Sequence, residues 1–418
     1  MKKLIRFEFM KVLKKKSFLC AVVLMALMLV IVPCLTISEN NWVKEDGSEI
    51  TGMAAIREKK DSLKDSSCDL TTERLQSVII NYQNAYADPV SFIREDGTRD
   101  SWINNAAYAK YIQSDSEIKF LIDMAFTPEG ETYDYYAMGS MDPADVQDFY
   151  EKRMEKVEQY LNMDYSYGNY SEADKEYFIA QNEKLTTPFH YTYNTGWNKL
   201  LGISYVSLMV IGLVVCITLA PIFSSEYQTG ADAILLSTKY GRSRLITSKI
   251  AASFLLTSVI YISGMFILTF VTFLIYGSKG ADCSLQVLSF LAPADVNLLQ
   301  AYLYVVLAGY FMCLFMQGIT LLLSAKMSSP FPVIICTMVF FIVPSFLPYS
   351  RSSRTYNNIL NLMPAKMAAA YTALTKYEVF HIFGLKISYP VMLILIAVLV
   401  SVVTLPFAYR AFHRHQVV

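Results

Sequence analysis

Between two long apolar runs lies the stretch whose residue types and spacing best support chemistry: Phe223-Ser224-Ser225-Glu226-Tyr227-Gln228-Thr229-Gly230-Ala231-Asp232-Ala233-Ile234-Leu235-Leu236-Ser237-Thr238-Lys239-Tyr240-Gly241-Arg242. Ser225 and Gln228 have capping-box spacing, and Glu226 falls where a helix N-terminus favours an anion. Tyr227, Ala231, Ile234 and Leu235 follow at i, i+4, i+7 and i+8, which makes one apolar stripe. Lys239 suits a last turn, and Gly241 suits the position after it. The pattern predicts a short amphipathic helix over 225–240. Its chemistry is contact rather than bond-making. Two readings fit: a helix resting on lipid headgroups, or a knob that docks a partner protein.

The other reactive side chains form no constellation. The histidines His190, His381, His413 and His415 are scattered, and the last two, in a basic tail, read as a solvated anchor rather than a metal site. Of seven cysteines, Cys20, Cys34, Cys216, Cys313 and Cys336 fall in or beside apolar runs. Cys68 and Cys283 lie outside them, and whether those two pair is left open. No CxxC spacing points to zinc. There is no G-x-x-x-x-G-K-[ST], so the chain carries no phosphate cradle of its own. Neither H-E-x-x-H nor G-x-S-x-G occurs. Catalytic, cofactor and metal sites are therefore not expected, and an enzyme is the least supported class.

The elements around the 225–240 segment declare a membrane protein. The chain is 54% hydrophobic and 17% charged, below the roughly one quarter charged of soluble domains. A hydrocarbon core of ~30 Å takes about 20 helical residues. Six runs approach that length: Phe18–Ile37, Leu201–Phe223, Ile250–Tyr276, Val296–Ala325, Pro330–Pro348 and Ile387–Tyr409. The fifth is short and bears four prolines. All six lack Asp, Glu, Lys, Arg and His, which argues against an ion-coupled carrier or channel. Gln300, Gln317, Ser253, Thr257, Ser258 and Thr320 are left to bond between helices or line a path. The first run is too long for a signal core and lacks an A-x-A site, so it is read as retained.

Charge sets the orientation. Residues 1–16 hold seven Lys or Arg, which places the N-terminus in the cytoplasm. With six spans, inside loops collect 14 basic residues and the short outside loops six. Five of those six fall in 349–386, where Pro364–Tyr371 reads as a short helix at the outer interface.

The expected layout is an amphipathic basic helix over 1–16, a span over 17–37, an extracellular domain over 38–200, and five spans within 201–418. The outer insert holds 30 of the 36 acidic residues and 15 of the 29 tyrosines. Helical spacing recurs through Met53–Leu63, Leu70–Tyr86, Ile103–Met124 and Val146–Leu161. Asp142-Pro143 and Ser171–Asp174 are helix starts, and joints fall at Glu95-Asp96-Gly97 and Pro128-Glu129-Gly130. A mostly helical domain with room for a small hairpin follows. Its acids either solvate an outward face over a tyrosine core or receive a cationic peptide or glycan. The fold class is an all-α membrane protein with six transmembrane helices and that mostly helical extracellular domain between helices one and two.

The run from Glu226 through Gln228-Thr229-Gly230 and Leu235-Leu236-Ser237-Thr238 to Arg242 and Lys249 resembles the segment joining spans two and three in ABC-2-type exporter permeases. Lys239 stands where that family usually has proline. The basic helix before span one, with Ile5, Phe9, Val12 and Leu13 on one side, and the large outer insert extend the resemblance to the whole chain as architecture. It implies a coupling helix that docks on a separate ABC ATPase subunit through Glu226, Tyr227, Gly230, Asp232 and Leu235. ATP would be bound by that partner, and this chain would bind no cofactor. Six spans are half of the family's usual unit, which implies a second permease copy or a paralogue. The lipid membrane is the other partner, and no nucleic acid is expected. The rival reading is a receptor or sensor whose outer domain binds a peptide or glycan.

Overall fold

The structure, a computed structural model, describes residues 1–93, 97–128, 130–131 and 133–415. Glu95 and Asp96 of the first expected joint, and Glu129 of the second, lie outside the described residues. The N-terminal helix α1 (Lys2–Leu13) buries Val12 and packs Phe9 and Leu13 against the core, while Lys2 and Lys3 are exposed. After Lys15, whose extended backbone breaks the helix, α2 runs over Lys16–Leu35 as the first apolar span.

The insert opens with a hairpin of β1 (Asn41–Val43) and β2 (Glu49–Thr51), paired Trp42 to Ile50. It continues through α3 (Gly52–Ser62), β3 (Cys68–Asp69), α4 (Thr72–Ala87), α5 (Asn105–Tyr111), α6 (Ser116–Phe126), α7 (Phe149–Asn162), α8 (Glu172–Asn182) and β4 (His190–Tyr191). Strands β3 and β4 pair antiparallel and tie the segment before α4 to the C-terminal part of the insert. The helix expected over Ile103–Met124 is instead two, because Gln113 leaves the helical path to bond both the amide and the carbonyl of Val43 (2.8 and 2.7 Å). Asp142 caps a 3-10 turn through the Ala144 amide, and Ser171 caps α8 through the Asp174 amide. Tyr170, Phe178 and Tyr377 stack edge to face in a buried cluster, so part of the tyrosine excess is core.

The bundle follows: α9 (Thr195–Leu219), α10 (Pro221–Thr229), α11 (Ala231–Ser237), α12 (Arg244–Tyr276), α13 (Leu285–Leu288), α14 (Leu298–Ser324) and α15 (Pro330–Phe346). Then come α16 (Arg354–Asn361), α17 (Pro364–Met367), α18 (Ala370–Thr375), the hairpin β5 (Val379–Ile382) and β6 (Leu385–Ser388), and α19 (Tyr389–His413). Among the described residues, five helical stretches are long and apolar enough to cross a membrane: Lys16–Leu35, Thr195–Thr229, Arg244–Tyr276, Leu298–Ser324 and Tyr389–His413. The expected sixth, α15, has 17 residues and reaches about 25 Å at 1.5 Å each, short of a full core.

Helix α14 is the central post, packed against α19, α9, α12 and α15. Gly318 makes its contact with α19 close: a Cβ there would sit 2.1 Å from the Thr404 hydroxyl oxygen. The polar residues of the spans mostly bond locally. Ser253 and Thr320 donate to carbonyls one turn back, and Gln300 closes a capping box with Asn297. Ser258 reaches across to the Tyr310 hydroxyl, whereas the Thr257 hydroxyl and the Gln317 side-chain oxygen are buried without partners among the described residues.

Three expectations need correcting. Residues 364–371 are not a surface helix: Ala365, Met367, Ala368 and Ala370 are buried, and the small side chains let α17 sink between α14 and α15 and α18 pack against α14, α19 and α9. Span two begins at Thr195, inside the region assigned to the insert, with Trp197 buried against Phe273 and Tyr302. Span three begins at Arg244, and so carries a buried Lys249. All seven cysteines are free thiols, Cys68 and Cys283 included.

Loop and insert form one layer at the end away from α1. Buried Arg153 donates to the carbonyls of Phe290 and Ala292 (2.8 and 3.1 Å), and Arg354 donates to that of Asn169 (3.0 Å).

Candidate functional site

At the opposite end, α1, α10, α11 and the first turns of α12 meet. Pro221 has no amide hydrogen, so the helix laddering of α9 cannot run through it, and α10 starts afresh there. Ser324, the last residue of α14, fills the gap. Its hydroxyl accepts from the Phe223 and Ser224 amides (3.0 and 3.1 Å) and donates to the Ala220 carbonyl (2.6 Å). The helix expected over 225–240 is a correction: it is two helices, α10 and α11, broken at Gly230. Gly230 has φ +68°, a left-handed conformation that glycine adopts freely and that ends α10. Ser225 accordingly lies inside α10, donating to the Pro221 carbonyl, and is not a cap.

Glu226 is buried and lies in an ionic lattice. Its Oε1 is 2.7 Å from Lys249 Nζ and 2.6 Å from Lys11 Nζ. Lys249 Nζ also reaches Glu8 Oε2 at 2.9 Å and the Ile222 carbonyl at 3.0 Å. The side chains of Lys249, Glu226 and Glu8 are 1%, 4% and 5% exposed, so a charge lacking a partner there would be costly. Two ammonium groups face two carboxylates, and the cluster is neutral as a whole. Lys15, at the joint of α1 and α2, feels the same crowding: burial and then the like charge of Lys11 push its ammonium below the usual range.

The five residues singled out from the sequence occupy different surroundings. Tyr227 is half-buried, donating to the Ala325 carbonyl (3.0 Å), with its ring 4.2 Å from His415 and stacked on Phe412 at 5.5 Å. Asp232 is buried, with its Oδ2 3.2 Å from His415 Nε2. Leu235 is half-buried, and Gly230 is exposed. The face of α11 turned to solvent carries Ala233, Ser237 and Ile234, the last 72% exposed, so the expected single apolar stripe is split, with Tyr227, Ala231 and Leu235 half-buried. Arg242 donates to the carbonyls of His413 and His415 (2.6 and 3.3 Å) and so ties α19's end to the α11–α12 turn.

Sequence reasoning named Lys249 only as the end of the family-like run and missed Glu8, Lys11 and Ser324. The signal available was that acidic residues are rare outside the insert, and Glu8 and Glu226 are two of only six. A lone acid in a basic or apolar run needs a partner. Elsewhere, Ser67, His190 and Asp69 stand in hydrogen-bonded order (3.3 and 2.7 Å), but His190 Nε2 is shared with Asp282 at 3.4 Å. That nitrogen is not free to take a serine proton, so the trio bridges β3, β4 and the following loop rather than forming a nucleophile. No cluster of three or more metal-type ligands occurs among the described residues.

No curated protein and no solved structure matches the chain. A family model described as ABC-2 family transporter protein matches residues 3–417, which is nearly the entire sequence. With its several apolar helices, this chain belongs to the ABC-2 family of transporter proteins and is a multi-pass membrane permease.

Proposed function

We propose that this permease is the membrane-spanning subunit of an ATP-driven exporter, coupled through α10 and α11 to a separate ABC ATPase subunit that binds the ATP. In this reading the termini and α11 are cytoplasmic and the insert is extracellular. The Lys and Arg excess around residues 1–16 and 239–249 supports that orientation. A second copy of this chain, or a paralogue, completes the translocation unit.

The observation that carries the proposal is the contrast within one short segment. The α11 face with Gly230, Ala233, Ile234 and Ser237 is open, while the residues behind it are fastened to three spans. Glu226 reaches α12 through Lys249, the α10 start reaches α14 through Ser324, and Asp232 reaches the end of α19 through His415. A push on the open face would therefore be felt by the bundle as a rigid displacement. Closure of the ATPase dimer would supply that push, and substrate would move outward. Glu226, Tyr227 and Asp232 act here by holding the element, and Gly230 and Ile234 by contact.

The test is Ile234→Asp in the intact complex. The side chain is already solvated, so the variant folds normally, while co-purification of the ATPase subunit falls about tenfold and export falls with it. Unchanged co-purification and export would refute the docking role. Recovery of a kinase or regulator in place of an ATPase would favour a receptor.

A further inference from the structure

A cleft of 810 Å³ opens on the bundle surface between α12 and α19, at the same end as the ionic lattice. It is lined by Ile250, Leu405, Pro406, Phe407 and Tyr409 together with Arg410, His413 and Arg414. Ile250 follows the buried Lys249, so the cleft lies where the apolar spans give way to charge. Phe407 is 54% exposed.

The arginines are the informative part. Arg410 and Arg414 are one helical turn apart and share a face. Cations in a last turn commonly serve the helix dipole and its unpaired carbonyls, but Arg242 already does so for α19. The acids at this end are Glu8, Glu226 and Asp232, and each is buried against Lys249, Lys11 or His415. The side chains of Arg410 and Arg414 are thus left without a carboxylate or carbonyl partner among the described residues. An apolar cleft lined also by two guanidinium groups matches a molecule with acyl chains and an anionic phosphate, since guanidinium binds phosphate oxygens in pairs.

We propose that this cleft binds an anionic phospholipid, with its phosphate on Arg410 and Arg414 and its acyl chain against Ile250, Leu405 and Phe407. The proposal rests on the chain's being a membrane permease and is independent of ATPase docking at α11. The lipid would wedge α19 against α12 and steady the tail that holds Asp232 and Tyr227.

The experiment is native mass spectrometry of the detergent-purified full chain, offered phosphatidylglycerol or phosphatidylcholine of matched chains, with inorganic phosphate as competitor. Wild type retains phosphatidylglycerol with a preference of about thirtyfold, the worth of two interfacial arginines. R410Q/R414Q, checked for an unchanged melting temperature, loses that preference, and K2Q/K3Q, which alters basic residues on α1, keeps it. Equal retention of both lipids, preference surviving in R410Q/R414Q, or equal loss in K2Q/K3Q would each overturn the site. Displacement of the lipid by millimolar inorganic phosphate would also overturn it, since the acyl contacts would then contribute nothing. Loss of ATPase association in the Ile234 variant leaves all these outcomes unaffected, so the two readings fail separately.

Discussion

The N-terminal end of the bundle and the insert both bury ion pairs, but they use them differently. In the insert, Lys119 and Asp123 pair within one helix, at i and i+4, with Tyr133 donating to the same carboxylate (2.9 Å) and Lys119 over the Tyr135 ring. Burial pushes the Asp123 carboxyl up and the Lys119 ammonium down from their ordinary values, with the pairing opposing both shifts. At the other end, Glu8, Lys11, Glu226 and Lys249 come from three segments, with Glu8 and Lys249 241 positions apart. A local pair stiffens the helix that carries it. A long-range lattice makes separate helices move together, which is what a lever needs.

Lys249→Met is the sharpest way to break the comparison, because it takes the ammonium from two buried carboxylates and leaves Glu226 with Lys11 alone. The expected loss is about 3–5 kcal/mol in detergent melting, with a rise in hydrogen exchange along α1. Lys119→Met strands one carboxylate and costs stability too, but exchange along α1 stays as in wild type. If both variants loosen α1 equally, the lattice has no special mechanical standing. Next in size is Gly230→Ala. A Cβ there meets nothing within 4 Å, so the only expense is the left-handed backbone, about 1–2 kcal/mol. Denaturant titration measures it, and coupling of ATP hydrolysis to export falls with it, whereas melting of the insert is unmoved. The smallest expected effect is Ser171→Ala, which removes the cap on α8 and costs about 1 kcal/mol. It shows as faster exchange in α8 and leaves export intact. A change in export would mean that the insert and the lever are more tightly joined than their contacts indicate.

Much of this molecule could be read one-dimensionally. The long apolar runs became α2, α9, α12, α14 and α19, since hydrocarbon leaves the backbone no partner but itself. The caps at Asp142 and Ser171 are local geometry and were legible for that reason. The basic N-terminal helix was visible from Ile5, Phe9, Val12 and Leu13, and the family from the pattern around Glu226. Less accessible was the break at Gly230, because helical periodicity continues across it from Tyr227 to Ile234 and disguises the turn.

What the sequence determined alone is whatever depends on neighbours along the chain: span length, helix starts, the separation of acid from base between insert and bundle. Tertiary structure decided which charges are partners. Lys249 looked like the basic edge of a loop, and Glu226 like a free docking residue. Only folding places one against the other with Glu8 and Lys11, because the energy of a buried charge depends on what surrounds it in space, and the chain order is silent about that.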